Sequence, residues 1–354
     1  MTATATAGLE SGPRTEVVPF TARDGMRLNL HHVTSDHPVT RGPVLLVHGA
    51  GVRADIFRTS GQETIVDALL ADGWDVWLEN WRASIDLPAN QWNLDEAAVY
   101  DHPAAVETVL EHTGADTTKA LVHCQGSSSF ALSAVAGLLP QVDTIVSNAM
   151  SLHPVVPPLS KVKLTRVVPL VHLLLDYVDP HWGKERPRRF VERRIVDVVR
   201  LSHRECRNGV CGMVSFVYGA GHPALWSHDN LSAGGHTWLS EEFGPVPLTF
   251  FAQMGRSVQA GRLIPTGSVL GMPEDPVASA PRTDARFALI GGRDNLCFLP
   301  ESQERTFDYL ERHAPGRHSV HVVDGYGHLD VFMGRYAARD TYPLILQELA
   351  DDAS

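Results

Sequence analysis

The sequence has few cysteines, no long apolar run and no excess of positive charge, and each of these features excludes a class of protein. Four cysteines in 354 residues are too few for a disulfide scaffold, although a Cys206–Cys211 pair stays open. A net charge of −11 opposes binding to nucleic acid or to an anionic membrane surface. The apolar stretch 167–178 is too short for a membrane span and contains His172 and Asp176.

Targeting signals and metal-binding motifs are also missing. Residues 1–14 are small and polar, without the apolar core of a signal peptide, so we expect a disordered N-terminus and a cytoplasmic protein. The 18 histidines are scattered and match no ligand spacing such as HExxH. We therefore expect no metal site and no cofactor.

The chain alternates between strand and helix patterns on both sides of a long interruption. Strands are predicted at 16–20, 27–33, 43–47, 74–78, 119–123, 142–147, 286–290 and 319–323, and helices at 63–72, 95–112, 127–139, 300–313 and 337–349. This alternation predicts an α/β protein with a mostly parallel, doubly wound sheet. Residues 15–150 and 281–354 would form the core, and 151–280 an inserted lid with an amphipathic stretch at 188–201 and apolar loops at 214–226.

The segment around Cys124 is the strongest indication of chemistry. A short strand leads into His123-Cys124-Gln125-Gly126, and a helix of small residues follows. Such a strand–turn–helix elbow presents a nucleophile when small residues flank the sharp turn. Gly126 supplies one small position, whereas Val122 occupies the other, where glycine is more usual. The alternative, a cysteine that only packs in the core, is less favoured in this setting.

A histidine and an acid follow in the order that this elbow requires. Asp294 comes after a strand end and two glycines, and His328 lies in the loop after the last predicted strand. We predict a Cys124–His328–Asp294 triad. Asp330 and Asp324 are competitors for the acidic role, and Asp330 is expected to orient the loop instead.

Two backbone N–H groups are predicted to form the oxyanion hole of this site. One belongs to Gln125, directly after the nucleophile, and the other to Ala50 in the loop after the third strand, with Gly51 as second choice. His48, Gly51 and His123 flank these groups and are predicted to contact the substrate.

Several segments together resemble the acid lipase (lysosomal and gastric lipase) family of α/β hydrolases. They are the segment DVWLENWR at 75–82, the Tyr100-Asp101-His102-Pro103 helix, the 123–126 elbow, and the His328-Leu-Asp330 loop. The resemblance covers about 43–150 and 286–345 and implies the α/β-hydrolase fold, with Cys124 at the position of the family's serine. Within the lid, Cys206 and Cys211 resemble the family's lid cysteines. Glu79 and Ala83 replace glycines usual in that family, and the elbow also resembles that of bacterial hydrolase-like domains linked to GMC-type oxidases.

A cysteine nucleophile favours particular acyl donors. Its acyl-enzyme is a thioester, which suits activated donors such as thioesters, lactones and reactive esters. We expect a hydrolase of a hydrophobic ester, lactone or thioester, with a substrate that could be bound to CoA or a carrier protein. An acyltransferase or cyclase using the same triad is the first alternative, and a non-catalytic binding protein of this fold is the second.

Overall fold

The computed structural model describes residues 12–351, and its centre is an eight-stranded sheet. The strand order is β1-β2-β4-β3-β5-β6-β9-β10, and β7 pairs with β8 in a separate two-stranded ribbon. The β1–β2 and β2–β4 pairs are antiparallel, and all other neighbours in the large sheet are parallel. The predicted α/β fold with a mostly parallel sheet is confirmed.

The strands are short, and each central one is buried at all positions but one at most. Their bounds are β1 Arg14–Thr21, β2 Arg27–Thr34, β3 Pro43–Val47, β4 Asp75–Asn80, β5 Thr118–His123, β6 Val142–Asn148, β7 Tyr177–Val178, β8 Val246–Pro247, β9 Arg286–Gly292 and β10 Ser319–Val323. Every residue of β3 is buried, as its uninterrupted apolar pattern predicts for a parallel strand covered on both faces.

The α-helices fall into a core set and an insertion set. Those of the core are α1 Ile65–Ala71, α2 Leu94–Glu96, α3 His102–Thr113, α4 Cys124–Val135, α11 Pro300–His313, α12 Asp330–Met333, α13 Ala337–Asp340 and α14 Tyr342–Ala350. Those between β6 and β9 are α5 Pro158–Val162, α6 Val168–Val171, α7 Phe190–Ser202, α8 Gly209–Tyr218, α9 Ala233–Trp238 and α10 Leu248–Ala260. We call the chain between β6 and β9 the insertion.

Three predicted elements differ from the structure. The elbow helix was expected from residue 127 but begins at Cys124, because the turn itself has helical hydrogen bonding. The segment 214–226 is predicted as loops, yet its first five residues belong to α8, which the Asn208 side chain caps. The last helix is broken at Thr341 into α13 and α14, with Pro343 in the first turn of α14.

Two predictions concern the N-terminus and membrane spans. The expected disorder of residues 1–14 lies largely outside the described residues, and β1 already begins at Arg14. Within residues 12–351, no helix combines the length and apolar character needed to cross a membrane.

Buried charged side chains explain two of the sequence motifs. Arg82 binds Asp101 through both Nε and a terminal nitrogen, with contacts of 2.6–3.0 Å, which ties β4 to the helix that follows it. Glu79 is fully buried and contacts Nδ1 of His102 at 3.0 Å, and Nε2 of His102 lies 2.7 Å from the Ser129 hydroxyl. Glu79 stands where the acid lipase pattern has glycine. Its carboxylate is paired with His102, which belongs to the Tyr100-Asp101-His102-Pro103 motif.

Removing the Glu79 carboxylate is expected to destabilise the core. Glu79→Ala should lower the free energy of unfolding by about 3 kcal/mol, because a buried polar partner is left uncompensated. The matched control is Glu107→Ala, which removes an exposed ion pair with Arg23 and should cost less than about 1 kcal/mol. Urea unfolding followed by circular dichroism measures both, and equal losses would contradict the assigned role of the buried pair.

Candidate active site

Cys124 lies at the junction of β5 and α4 in a backbone conformation that side chains rarely adopt. Its φ angle is 56°, in the left-handed region. Two residues on, a Cβ at Gly126 would come within 2.0 Å of the His48 carbonyl oxygen, so only glycine fits there. The close approach explains the small residue that the elbow pattern predicts, and the turn aims the thiol away from the sheet.

Two histidines surround the Cys124 sulfur. Sγ of Cys124 and one ring nitrogen each from His123 and His328 lie within 4.8 Å of one another. Asn148 fixes both histidines, since its amide nitrogen lies 3.0 Å from Nδ1 of His123 and donates to the His328 carbonyl at 3.0 Å. Burial, aided by the nearby His328 and His48, lowers the pKa of His123 well below its ordinary value. The structure thus brings the predicted nucleophile and the predicted base together.

Cys297 is a neighbour of the nucleophile that sequence analysis missed. Burial raises the pKa of Cys124, but hydrogen bonding from the Cys297 thiol, the proximity of His328 and the Gln125 N–H outweigh it and hold that pKa well below its ordinary value. The interaction with Cys124 raises the pKa of Cys297, and burial adds to this effect. A cysteine in the same loop as Asp294 was the available signal, because loops at the carboxyl edge of a parallel sheet converge.

Removing the Cys297 thiol is expected to make the Cys124 thiolate less stable relative to the thiol. Cys297→Ala should raise the pKa of Cys124, which moves the rise of iodoacetamide reactivity with pH to higher pH. Cys297→Ser keeps a hydroxyl donor and should shift the profile less. Alkylation of Cys124, followed by peptide mapping from pH 5 to pH 10, measures both variants. An unchanged or downward shift in Cys297→Ala would contradict the donor role.

The predicted acid lies beside the histidine loop, with its carboxylate turned outward. The Asp294 N–H donates to the Tyr326 carbonyl at 2.9 Å, two residues before His328, yet its side chain is exposed. Nδ1 of His328 is buried and has no hydrogen-bond partner within the described chain. The structure therefore places Asp294 on the adjoining loop but records no contact between its carboxylate and the imidazole.

Both competing acids are engaged elsewhere. Asp330 is buried, and its carboxylate accepts from the Gly327 N–H at 2.9 Å and from the Asn230 amide at 2.8 Å. Asp324 is exposed and pairs with Arg293 on the surface. Asp330 thus orients the histidine loop, as the sequence analysis expected.

The predicted oxyanion residues border the same sulfur. The Gln125 N–H lies close enough to the Cys124 thiol to lower its pKa. Ala50 lines the cavity in front of Cys124, together with Gly49. A Cβ at Gly49 would come within 2.9 Å of the Cys124 Cβ, so the loop must approach the elbow closely.

The three predicted substrate contacts differ in position. His123 lines the cavity. His48 is fully buried beneath the loop, with Nδ1 bonded to the Gly49 carbonyl at 2.7 Å, and burial lowers its pKa to about 3. Gly51 faces the insertion, where a Cβ would meet Val246 and Tyr218. His48 and Gly51 do not line the cavity, because the loop turns both away from the Cys124 sulfur.

The insertion closes the cavity over Cys124. The cavity has a volume of about 20 Å³, enough for roughly one water molecule. Its walls on the insertion side are Val214, Tyr218, Leu225 and Phe243. The Tyr218 hydroxyl also donates to the Ala50 carbonyl at 2.8 Å. These wall residues had no sequence signal, because the insertion follows no motif.

The sheet order, the left-handed elbow residue and the histidine loop after the last strand define the fold. The chain has the α/β-hydrolase fold. No protein-family model matches it. A monoacylglycerol lipase from Paleococcus ferrophilus superposes with a TM-score of 0.52 at 12% identity, covering 95% of this chain and 98% of that one. An esterase from Thermogutta terrifontis superposes with a TM-score of 0.53 at 15% identity, covering 95% and 100%.

Curated relatives are similar over part of their length. Sterol esterase 2 of Saccharomyces cerevisiae is 26% identical over 157 residues, which cover 37% of this chain and 29% of the yeast protein. Lipase lipl-3 of Caenorhabditis elegans is 31% identical over 129 residues, 31% of this chain and 32% of that protein. Lipase 1 of Drosophila melanogaster is 30% identical over 158 residues, 41% and 35%. The matched segments thus span about a third of each relative.

Proposed function

We propose that the protein hydrolyses a hydrophobic ester, lactone or thioester through an acyl group carried on Cys124. The observation that carries this proposal is the Cys124 thiol at the left-handed elbow, with a ring nitrogen of His328 within 4.8 Å of its sulfur. A thiolate is the reactive form of cysteine. The names of the curated relatives, a sterol esterase and two lipases, support ester hydrolysis as the reaction type.

The proposed reaction has two halves. The Cys124 thiolate attacks the acyl carbonyl, and the negative oxygen that forms accepts hydrogen bonds from the Gln125 and Ala50 N–H groups. Collapse expels the leaving group, which takes a proton from His328, and leaves a thioester on Cys124. His328 then removes a proton from water, which attacks the thioester and releases the acid and the thiolate.

Asp294 is proposed as the acid that stabilises protonated His328. The support is the buried, unpartnered Nδ1 of His328 and the backbone hydrogen bond that holds Asp294 on the adjoining loop. A buried imidazole nitrogen without a partner is rare, and a carboxylate is its usual acceptor in this fold. Rotation of the Asp294 side chain from solvent toward Nδ1 would complete the triad.

The insertion is proposed to act as a lid over an apolar substrate. The cavity in front of Cys124 is too small for an acyl chain, so its insertion-side wall must move to admit one. The outer surface of the insertion exposes large apolar side chains, of which the most exposed are Leu159, Leu170, Leu173, Leu174, Phe190, Leu201 and Leu270. Apolar surface of this kind is suited to binding hydrophobic ligands.

Two acyl donors test the proposal and separate it from acyl transfer. We expect the protein to release p-nitrophenol from p-nitrophenyl butyrate without any added acceptor, and to cleave butyryl-CoA in parallel. Product release that requires an amine or alcohol acceptor would support the acyltransferase alternative instead. No turnover of either donor, with Cys124 intact, would reject the enzymatic proposal.

A further inference from the structure

Two cysteines and two histidines from three segments of the insertion converge at one point. One ligand atom each from Cys206, Cys211, His228 and His236 lies within 4.8 Å of the other three. Cys206 precedes α8, Cys211 is in its first turn, His228 is in the loop that follows and His236 is in α9. The Nε2 of His228 lies 3.5 Å from the Cys211 sulfur, and the two imidazole rings are 5.0 Å apart.

The donor types are those of a zinc centre, and the ligand atoms, within 4.8 Å of one another, are close enough for small movements to bring them onto one ion. With Zn–S near 2.3 Å and Zn–N near 2.0 Å, tetrahedral zinc holds its ligand atoms roughly 3.3–3.8 Å apart. Two thiolates and two imidazoles favour zinc over calcium or magnesium, which prefer oxygen. Four protein ligands leave no open position, which is typical of a structural rather than a catalytic ion.

Surrounding groups orient the candidate ligands. The Glu205 carboxylate lies 3.3 Å from Nδ1 of His228, which leaves Nε2 facing the sulfur atoms. Carboxylates bound to the outer nitrogen of a ligand histidine are a regular feature of metal sites. Glu205 is itself fixed by the Ala224 N–H at 2.9 Å. On the other side, Nε2 of His203 lies 3.1 Å from the Cys206 sulfur and is placed to donate to a thiolate.

A disulfide between the two cysteines would account for less of this geometry. The structure records both Cys206 and Cys211 as free thiols. Nε2 of His236 is buried without a hydrogen-bond partner in the described chain. A disulfide would leave that nitrogen unpaired, whereas a metal ion would bind it. We propose that Cys206, Cys211, His228 and His236 bind one structural Zn²⁺ ion.

The ion would anchor the segment that supports His328. Between Glu205-bound Ala224 and His228, the Leu225 carbonyl accepts the His328 N–H at 2.7 Å, and the Ser227 N–H donates to Asp330 at 3.3 Å. Zinc bound to His228 would fix one end of this segment. Loss of the ion is therefore expected to loosen the insertion, and any effect on turnover rests on the proposed function.

Metal content tests the site without relying on activity. Protein expressed with zinc in the medium and purified without chelator should contain about one zinc per chain by elemental analysis, with an X-ray absorption spectrum of two sulfur and two nitrogen neighbours. His236→Ala and Cys211→Ser should lose most of this zinc. His172→Ala, a histidine of the insertion outside the cluster, should keep it.

Thermal unfolding and mass spectrometry complete the test. Removal of zinc with a chelator should lower the melting temperature of the wild-type protein, and zinc should restore it, whereas His236→Ala should not respond. Wild-type protein that takes up no zinc on titration would overturn the proposal, even if a variant fails to fold. A Cys206–Cys211 disulfide in the non-reduced peptide map of freshly purified protein would also overturn it. Intact esterase activity in zinc-free protein would leave the proposed hydrolase function standing.

Discussion

Cys124→Ala is expected to reduce turnover of p-nitrophenyl butyrate by at least about 10⁴-fold, because no other group can form the acyl intermediate. The thiol lies at the elbow with a φ angle of 56°, and the Gln125 N–H and His328 are directed at it. Alanine removes the sulfur without adding volume, so the fold should persist. Initial rates at saturating substrate, with circular dichroism as a check on folding, measure the effect.

Cys124→Ser is the matched control for this loss. Serine keeps a nucleophilic oxygen in the same place, so part of the esterase activity should remain, with a larger loss on the thioester. The serine hydroxyl ionises far less readily than a thiol, so its reaction depends more strongly on His328 as a base. Undiminished turnover in the alanine variant would show that the reaction occurs elsewhere.

Asp294→Asn is expected to lower kcat by about 10³- to 10⁴-fold while leaving KM within a few-fold. The asparagine cannot stabilise protonated His328 and favours the wrong tautomer of its ring. The expectation holds even though the carboxylate is exposed in the structure, because Nδ1 of His328 is buried and needs an acceptor. Steady-state kinetics of the variant measure the change.

Asp324→Asn provides the comparison for that variant. Asp324 is an exposed acid on the neighbouring loop, paired with Arg293 on the surface. Its replacement should change kcat by less than about twofold, since surface ion pairs contribute little. If Asp294→Asn behaves like Asp324→Asn, a Cys124–His328 pair acts without an acid, and the assignment of Asp294 is wrong.

The centre of the sheet could be predicted because its strands are short and rich in apolar residues. Every residue of 43–47 is buried, and all of 142–147 except Asp143, as in strands covered on both faces of a parallel sheet. The start of α4 was placed too late, because the elbow residue has a left-handed backbone that no propensity predicts. The sequence of α8 shows no helical periodicity, because nearly all of its residues are apolar or small. Only the cap at Asn208 marks its start.

The sequence predicts those site residues that occupy fixed places in the order of strands, elbow and loops. It does not predict those that reach the site only because separate segments pack together. Cys124 and His328 follow a fixed order of strand, elbow and loop, and the structure brings them together. Cys297 reaches the site because its loop folds next to the elbow, and Tyr218 reaches it because the insertion packs over the elbow. Neither position follows from order along the chain. The cluster of Cys206, Cys211, His228 and His236 forms no contiguous motif, because its residues come from three separate segments of the insertion.

Trapping the acyl intermediate tests the central claim most directly. Protein mixed with p-nitrophenyl butyrate and quenched in acid within the first turnover should carry one butyryl group by intact mass. Peptide mapping should place that group on Cys124, and neutral hydroxylamine should remove it, as expected for a thioester. A butyryl group on any other residue, or turnover with no acyl-protein formed at any time, would contradict the account.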